Sequence, residues 1–190
     1  MTILHMFLML LLSLPLQDEI TLEYTTARNK IERSVHDHVH YTLRWGNKDL
    51  MRALPDTFET LGLNSPYFWN ESSLYLLLKL NRPHGRSSAI VLPLNDSSQV
   101  AHFNDPIAFN PNLNLLACIR SPRTILFTQL SSGKASSIII PLPAGEKDLI
   151  YCINSATLSN TELHVHWVNT PPSAIKIFRI PKLKLHRVRS

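Results

Sequence analysis

The amino-acid sequence predicts an all-β fold of repeated antiparallel hairpins, with a β-sandwich of similar hairpins as the alternative architecture. The chain of 190 residues contains 13 prolines but only 5 glycines. Its apolar residues fall in short runs rich in Ile, Leu and Val, separated by Pro, Ser, Thr and Asn, which is typical of short strands joined by turns. The third observation is a recurring order of strand, polar turn, strand and proline.

Composition narrows the class of protein. Hydrophobic residues make up 44% of the chain and charged residues 17%, so a buried core is feasible and wholesale disorder is not expected. No stretch has the run of heptads that a coiled coil requires. The length fits one domain or a piece of a larger protein.

The N-terminal residues 1–16 are almost entirely apolar. Their core has the length of a signal-peptide hydrophobic region and is too short to span a bilayer. We predict a signal peptide over residues 1–17; the alternative is a strand or helix of the fold. Two N-glycosylation sequons, at Asn70 and Asn95, fit the secreted or lumenal location that a signal implies. The alternative location is the cytoplasm.

Residues 18–55 form an N-terminal segment before the repeats. Residues 39–45 alternate strictly between apolar and polar, which predicts a half-buried strand by its period of two. A short helical turn is expected over residues 47–54 and would end before Pro55, because a proline disfavours helical backbone at the preceding residue.

Three repeat units are predicted over about 56–96, 103–145 and 146–181. Each contains a hairpin of two apolar runs around a polar turn, closed by a proline. The paired runs cover residues 74–80 with 87–94, 124–130 with 136–143, and 162–168 with 173–181. A further short apolar run precedes each hairpin, at residues 65–69, 115–119 and 149–153. An additional strand, Asn-Pro turn and strand is expected over residues 106–117.

Residues 56–181 resemble three blades of a β-propeller of the general kelch or WD-repeat type. The resemblance is to the architecture, since the sequence has neither the double-glycine kelch motif nor a Gly-His and Trp-Asp pair. It implies a propeller-like partial or incomplete ring, in which each blade covers its apolar faces against its neighbours. Because a closed ring needs at least about four blades, residues 18–55 could supply a fourth, or the chain is part of something longer.

Two His-x-His pairs are the sharpest chemical feature of the sequence. His38 and His40, and His164 and His166, each place two imidazoles on one face of a strand, about 6–7 Å apart. Such a pair presents two nitrogen ligands to zinc or a related metal. The alternative is an ordinary polar strand face, and nothing in the sequence brings the two pairs together.

The two cysteines, Cys118 and Cys152, allow one disulfide in a secreted chain. They occupy the same position in two copies of the predicted repeat, however. Equivalent strands of adjacent blades are usually too far apart for a disulfide, so two buried free thiols are the favoured interpretation.

Residues 182–190 form a basic C-terminal tail. The formal net charge of the chain is +5, and no acidic residue follows Glu162. The favoured interpretation is an exposed edge strand or tail kept soluble by its basic residues. The alternative is contact through residues 182–189 with an acidic partner, an anionic membrane surface or nucleic acid. The tail lacks the interleaved aromatic residues of a single-strand nucleic-acid binder, so no nucleic acid is expected.

No catalytic motif or cofactor-binding loop is present, so no catalytic residue and no cofactor are assigned. The aromatic residues Trp45, Phe68, Trp69 and Trp167 are expected to pack in the core. The favoured function is a non-enzymatic protein-interaction module, lumenal or extracellular, as a subunit or short form of a larger membrane-associated complex. The alternatives are an intracellular β-propeller scaffold and a metal-dependent enzyme using the His-x-His pairs.

Overall fold

The computed structural model describes residues 20–26, 28–35, 40–59, 65–95, 99–168 and 175–182. These residues confirm the all-β fold class, because they form fifteen strands and very little helix. The strands are β1 (Ile20–Thr25), β2 (Asn29–Val35), β3 (His40–Asn47), β4 (Met51–Glu59), β5 (Tyr67–Glu71), β6 (Tyr75–Asn81), β7 (Ser87–Pro93), β8 (Ala101–Asn104), β9 (Pro106–Asn110), β10 (Leu115–Ser121), β11 (Thr124–Gln129), β12 (Lys134–Ile139), β13 (Ile153–Leu158), β14 (Glu162–Trp167) and β15 (Ile175–Arg179). A 3-10 turn covers Pro83–Gly85, and one helical turn, α1, covers Leu149–Cys152. The predicted signal peptide over 1–17 lies outside the described residues, as does the basic tail beyond Lys182.

The strands form four antiparallel sheets, each a meander in which strands adjacent in sequence are adjacent in space. Sheet 1 contains β1 to β4, sheet 2 β5 to β8, sheet 3 β9 to β12 and sheet 4 β13 to β15. The chain divides into two compact units, Met1–Gly62 with sheet 1 and Leu63–Ser190 with sheets 2 to 4. Sheets 1 to 3 have four strands, and sheet 4 has three among the described residues.

In the first unit, β3 confirms the predicted half-buried strand. Tyr41, Leu43 and Trp45 are buried, and the residues between them are partly exposed. The Tyr41 ring lies 5.7 Å from the Phe58 ring on the neighbouring strand β4. Alternation therefore correctly identified the buried face of this strand.

The helical turn expected over residues 47–54 is wrong. β3 continues to Asn47, a tight turn follows, and β4 begins at Met51, inside the expected helix. Asn47 Oδ1 accepts hydrogen bonds from the backbone N–H groups of Asp49 and Leu50, both at 2.9 Å. This side-chain turn offers the backbone an alternative to the helix.

Two backbone features explain why a strand replaces that helix. Gly46 has a φ of 152°, and a Cβ at this position would lie 2.0 Å from the Leu50 carbonyl oxygen, so the turn requires glycine. Pro55 lies in β4 where its register with β3 shifts. A register irregularity tolerates a residue without a backbone N–H, so the proline does not exclude a strand here.

In the second unit, the three predicted hairpins are confirmed. They are β6 with β7, β11 with β12, and β14 with β15, all paired antiparallel. The strand, Asn-Pro turn and strand expected over residues 106–117 correspond to β9 and β10. The short run at 149–153 differs from expectation, because it forms α1 and only its last residue begins β13.

The core of the second unit lies on both faces of sheet 3. Leu116 and Cys118 of β10 pack with Leu77 of sheet 2. Leu115 and Ala117, which alternate with them, pack with sheet 4 in a larger cluster. The members of that larger cluster are Ala108, Leu115, Ala117, Ile125, Phe127, Ile140, Leu149, Cys152, Leu163, Val165 and Trp167. β10 is therefore buried on two sides, as its almost uninterrupted apolar sequence requires.

The structure and the sequence repeat match different strands of sheets 2 and 3 with each other. The second strands of sheets 2, 3 and 4 are β6, β10 and β14. The predicted alignment matched β6 instead with β11, the third strand of sheet 3. The burial patterns support the structural match, since the first four residues of β6 and of β10 are all buried.

A capped turn between the first and second strands recurs in all four sheets. In each, one side-chain oxygen accepts hydrogen bonds from backbone N–H groups two and three residues later. The capping residues are Thr26, Ser72, Asn110 and Ser159. Thr, Ser and Asn share this local chemistry, which explains how four different sequences produce one hairpin geometry.

Candidate functional site

Sheet 4 has one covered face and one outer face. On β14, Leu163, Val165 and Trp167 are buried against sheet 3. Glu162, His164 and His166 alternate with them and are only partly buried. Because successive side chains of a strand point to opposite faces, these three polar residues lie on the outer face.

Strand β15 adds exposed apolar residues to the same face. His166 is paired with Ile175 and His164 with Ile177, and directly opposed residues of an antiparallel pair share a face. Ile175 is 50% exposed and Ile177 is 56% exposed. Phe178, which alternates with them, packs against the core on the covered side.

The backbone of β15 also has a side that faces away from β14. The N–H of Ile180 donates to the carbonyl oxygen of Thr161 at 2.8 Å, and bonded and non-bonded pairs alternate along an antiparallel ladder. The backbone groups of Ile175, Ile177 and Arg179 therefore point away from β14. Within the described ranges no strand pairs with this side of β15. We call this edge, with the outer-face residues His164, His166, Ile175 and Ile177, the open edge of sheet 4.

The histidines of this region have protein partners close by. His164 Nε2 lies 3.2 Å from Glu162 Oε2, and His166 Nδ1 lies 3.2 Å from Asn154 Nδ2. Among the residues that the structure describes, no group of three or more His, Cys, Asp or Glu side chains could hold a metal ion. His40 is exposed and belongs to the other unit, while His38 lies outside the described residues. Metal binding by the two pairs stays a prediction.

The two cysteines are both buried and both free. They do not occupy equivalent positions as the sequence alignment indicated: Cys118 lies on β10, and Cys152 is the last residue of α1. Burial raises the pKa of the Cys118 thiol to about 12, with a further contribution from the charge of Asp105. Burial also raises the pKa of Cys152. Both therefore behave as small apolar core residues at neutral pH.

Asp105 is a buried acid that the sequence analysis did not single out. It alone separates β8 of sheet 2 from β9 of sheet 3, is 3% exposed and has a φ of 49°. Arg86 donates to its Oδ2 from Nε at 3.2 Å and from Nη2 at 2.5 Å, and the Ser87 N–H donates to its Oδ1 at 3.2 Å. Its own carbonyl accepts from the Ile119 N–H at 3.0 Å. These bonds make Asp105 the junction that joins the two sheets.

A small cleft opens beside this junction. Its volume is about 130 Å³, and its lining includes Lys79, Asp105, Ile119, Ile153 and Asn154. That volume is below the range of about 300–1,000 Å³ typical of small-molecule sites. Burial lowers the pKa of Lys79, whose Nζ lies 5.3 Å from the centre of the Trp69 ring.

The first-to-second-strand turns of sheets 2, 3 and 4 are joined into one row. Ser72 Oγ donates to Asn114 Oδ1 at 2.6 Å, which links sheets 2 and 3. Asn110 Nδ2 donates to Asn160 Oδ1 at 3.1 Å and to the Leu158 carbonyl at 3.3 Å, which links sheets 3 and 4. The capped first turns therefore also connect sheet 2 to sheet 3 and sheet 3 to sheet 4 by hydrogen bonds.

The remaining predicted residues fall into two groups. Trp45 and Trp167 are buried, and Trp69 packs against the core shared by sheets 2 and 3. The sequon residue Asn95 is exposed after β7. Asn70 lies on edge strand β5, where its Oδ1 accepts from the Glu71 N–H at 2.9 Å. Glycosylation of either asparagine stays a prediction.

Searches by sequence find no matching protein family and no matching curated protein. In the part of the chain that the structure describes, no helix has the length and apolar character needed to cross a membrane. The open edge of sheet 4 is therefore interpreted from its own residues. Sequence reasoning identified β15 as a strand but did not single out Ile175 and Ile177, which lie on one face of it and are both exposed.

Proposed function

We propose that this chain is a non-enzymatic protein-interaction module that binds another protein through the open edge of sheet 4. The observation that carries the proposal is the pair of exposed isoleucines, Ile175 and Ile177, on a strand whose outward-directed backbone groups pair with no strand of the described residues. An exposed apolar edge strand is a template for pairing with another chain. Folded proteins normally shield such an edge, so a partner explains its presence.

We further propose that sheets 2, 3 and 4 are successive blades of a propeller-like array. Three features support this arrangement: each sheet is a meander, sheet 3 packs against a neighbour on both faces, and the capped first turns form a linked row. In such an array a blade covers its faces against its neighbours. The outer face of sheet 4 is where the next neighbour would pack, which favours a protein at that position.

The compartment that we propose is lumenal or extracellular, with the module acting as a subunit or short form of a larger membrane-associated complex. The apolar residues 1–16 and the exposed sequon at Asn95 support this location. Expression of the chain in mammalian cells should yield an endoglycosidase-sensitive band in the medium. An unglycosylated chain confined to the cytosol would instead support an intracellular scaffold.

Site-specific photo-crosslinking tests the interaction itself. A photoreactive amino acid at Ile177 should yield one discrete crosslinked protein. The same group at His84 should not, because His84 is also exposed but lies in the turn between β6 and β7 and not on the open edge of sheet 4. The substitution Ile175→Asp on the same chain should weaken the crosslink at position 177, since it places a charge on the apolar outer face. Equal crosslinking at both positions, or none at Ile177, would contradict the proposed function.

A further inference from the structure

We propose that the partner contributes an acidic extended segment, which pairs with β15 and completes sheet 4 to four strands. This inference rests on the proposed function and adds the form and chemistry of the partner. Sheets 1 to 3 each have a fourth strand, whereas β15 is the last described strand of sheet 4. Addition of a strand to an exposed sheet edge is a common mode of peptide recognition.

The backbone of β15 fixes how such a segment would bind. Ile175, Ile177 and Arg179 direct their N–H and C=O groups to the free side, as the bond from Ile180 to Thr161 establishes. An added strand would form its hydrogen bonds with these three residues. Lys176 and Phe178 already direct theirs to β14, so their pairing would not change.

The charge on and beside β15 indicates an acidic partner. Lys176, Arg179 and Lys182 are exposed. The acid opposite Arg179 on β14 is Glu162, so these three described cations exceed the one acid that faces β15. Opposite charges across paired strands stabilise a sheet, and like charges destabilise it. A second copy of β15 would bring the same cations to the edge, so a segment with acidic residues is the better match.

The cross-strand positions define a probe peptide. Its central residues are Glu-Thr-Val-Glu-Val, read antiparallel to β15. They place Glu opposite Arg179, Thr opposite Phe178, Val opposite Ile177, Glu opposite Lys176 and Val opposite Ile175. The two valines extend the apolar outer face of sheet 4, and the glutamates meet the two cations. A nine-residue version with neutral polar ends and blocked termini can be titrated against the full chain.

Amide NMR of the full chain is the readout. Binding should shift the amide signals of Ile177 and Arg179 and slow their hydrogen exchange at least about tenfold, while that of Phe178 changes little. A matched peptide with an N-methyl group on its first valine lacks one edge hydrogen bond. It should bind about fivefold more weakly, since one such bond is worth roughly 1 kcal/mol. A peptide with lysine in place of both glutamates should also bind more weakly.

The substitution Ile177→Pro tests the same edge from the protein side. It removes an N–H that points to the free side and should leave the pairing of β14 with β15 intact. It should abolish peptide binding, whereas Ile177→Thr, which retains the N–H, should bind with a loss of less than about tenfold. If Ile177→Pro unfolds, the N-methyl peptide still tests whether a backbone hydrogen bond forms between the peptide and Ile177.

Three outcomes would overturn the inference. These are equal binding of the acidic and basic peptides, amide shifts confined to residues away from β15, and a dimer of this chain that Ile177→Pro dissociates. Should crosslinking at Ile177 succeed while the peptide fails to bind, strand addition would be wrong and the interaction module would stand. Should crosslinking fail as well, the proposed function would be wrong.

Discussion

Sheet 3 and sheet 4 are built from similar hairpins, yet they differ in how much of their surface the protein covers. Sheet 3 packs against sheet 2 through Leu116 and against sheet 4 through Phe127. Sheet 4 has the same contact on one face, but on the other Ile177 is 56% exposed. Similar hairpin sheets thus form core on both faces in one case and leave one face with exposed isoleucines in the other.

The largest expected difference between the two sheets is in their core residues. Phe127 is fully buried in sheet 3, so Phe127→Ala should lower the free energy of unfolding by about 3–5 kcal/mol through lost burial and a cavity. Ile177→Ala on sheet 4 should lower it by less than about 0.5 kcal/mol. Urea denaturation of both variants measures the two values. Comparable losses would show that the outer face of sheet 4 is covered.

The junction between sheets 2 and 3 gives the next largest effect. Asp105→Ala removes a buried carboxylate that accepts from Arg86 and Ser87, and it places alanine at a φ of 49°. The lost hydrogen bonds should cost about 2 kcal/mol and the left-handed backbone about 1 kcal/mol more. Asp105→Asn should recover the backbone part, since asparagine tolerates this conformation. Urea denaturation measures the free energy of unfolding of both variants. Identical losses would show that the left-handed backbone at position 105 does not contribute to the effect of Asp105→Ala.

The linked row of turns predicts a smaller, graded effect. Asn110→Ala removes a cap and both bonds to sheet 4, and Asn110 is 4% exposed. Ser159→Ala removes only a cap at an exposed position. The expected losses of unfolding free energy are about 2 kcal/mol for the first and about 1 kcal/mol or less for the second. Thermal unfolding of the two variants should rank them in this order, and the reverse order would contradict the linkage.

The buried thiol of Cys118 predicts a pH dependence. Its pKa is raised from 9.0 to about 12 in the folded protein, so folding favours the protonated thiol. The contribution of this protonated thiol to the free energy of unfolding is fully present below pH 9 and is lost as the pH rises toward 12. From pH 9 to pH 10 the loss should be about 1 kcal/mol. Other groups titrate in the same interval, so the fall in the free energy of unfolding is measured for both wild type and Cys118→Ala. Between pH 9 and pH 10 the variant should lose about 1 kcal/mol less than wild type.

Sequence reasoning recovered the hairpins of the second unit because their apolar runs are long and their turns are polar. It recovered the buried face of β3 for the same reason, since Tyr41, Leu43 and Trp45 follow a period of two. It failed at the turn around Asn47, where a side-chain cap and the required Gly46 outweigh the helix signal before Pro55. Local bonding of this kind leaves little trace in hydrophobic patterning.

The site was less predictable than the fold. Strand order within a sheet depends on tertiary pairing, so the sequence could not show that β6 corresponds to β10 and not to β11. Asp105 could not be identified for the same reason, because it joins sheets 2 and 3 only through tertiary hydrogen bonds. Ile175 and Ile177 were visible as strand residues, but their exposure depends on which face of sheet 4 packs against sheet 3, which only the structure shows.

Hydrogen exchange along β15 of the free protein measures whether its outward-directed backbone groups are paired. The amides of Ile177 and Arg179 point to the open side, and the amide of Phe178 is bonded to β14. We expect fast exchange at the first two positions and exchange slower by at least about tenfold at Phe178. Protection of all three amides to the same degree would mean that another strand already covers this edge, and the open binding surface would not exist.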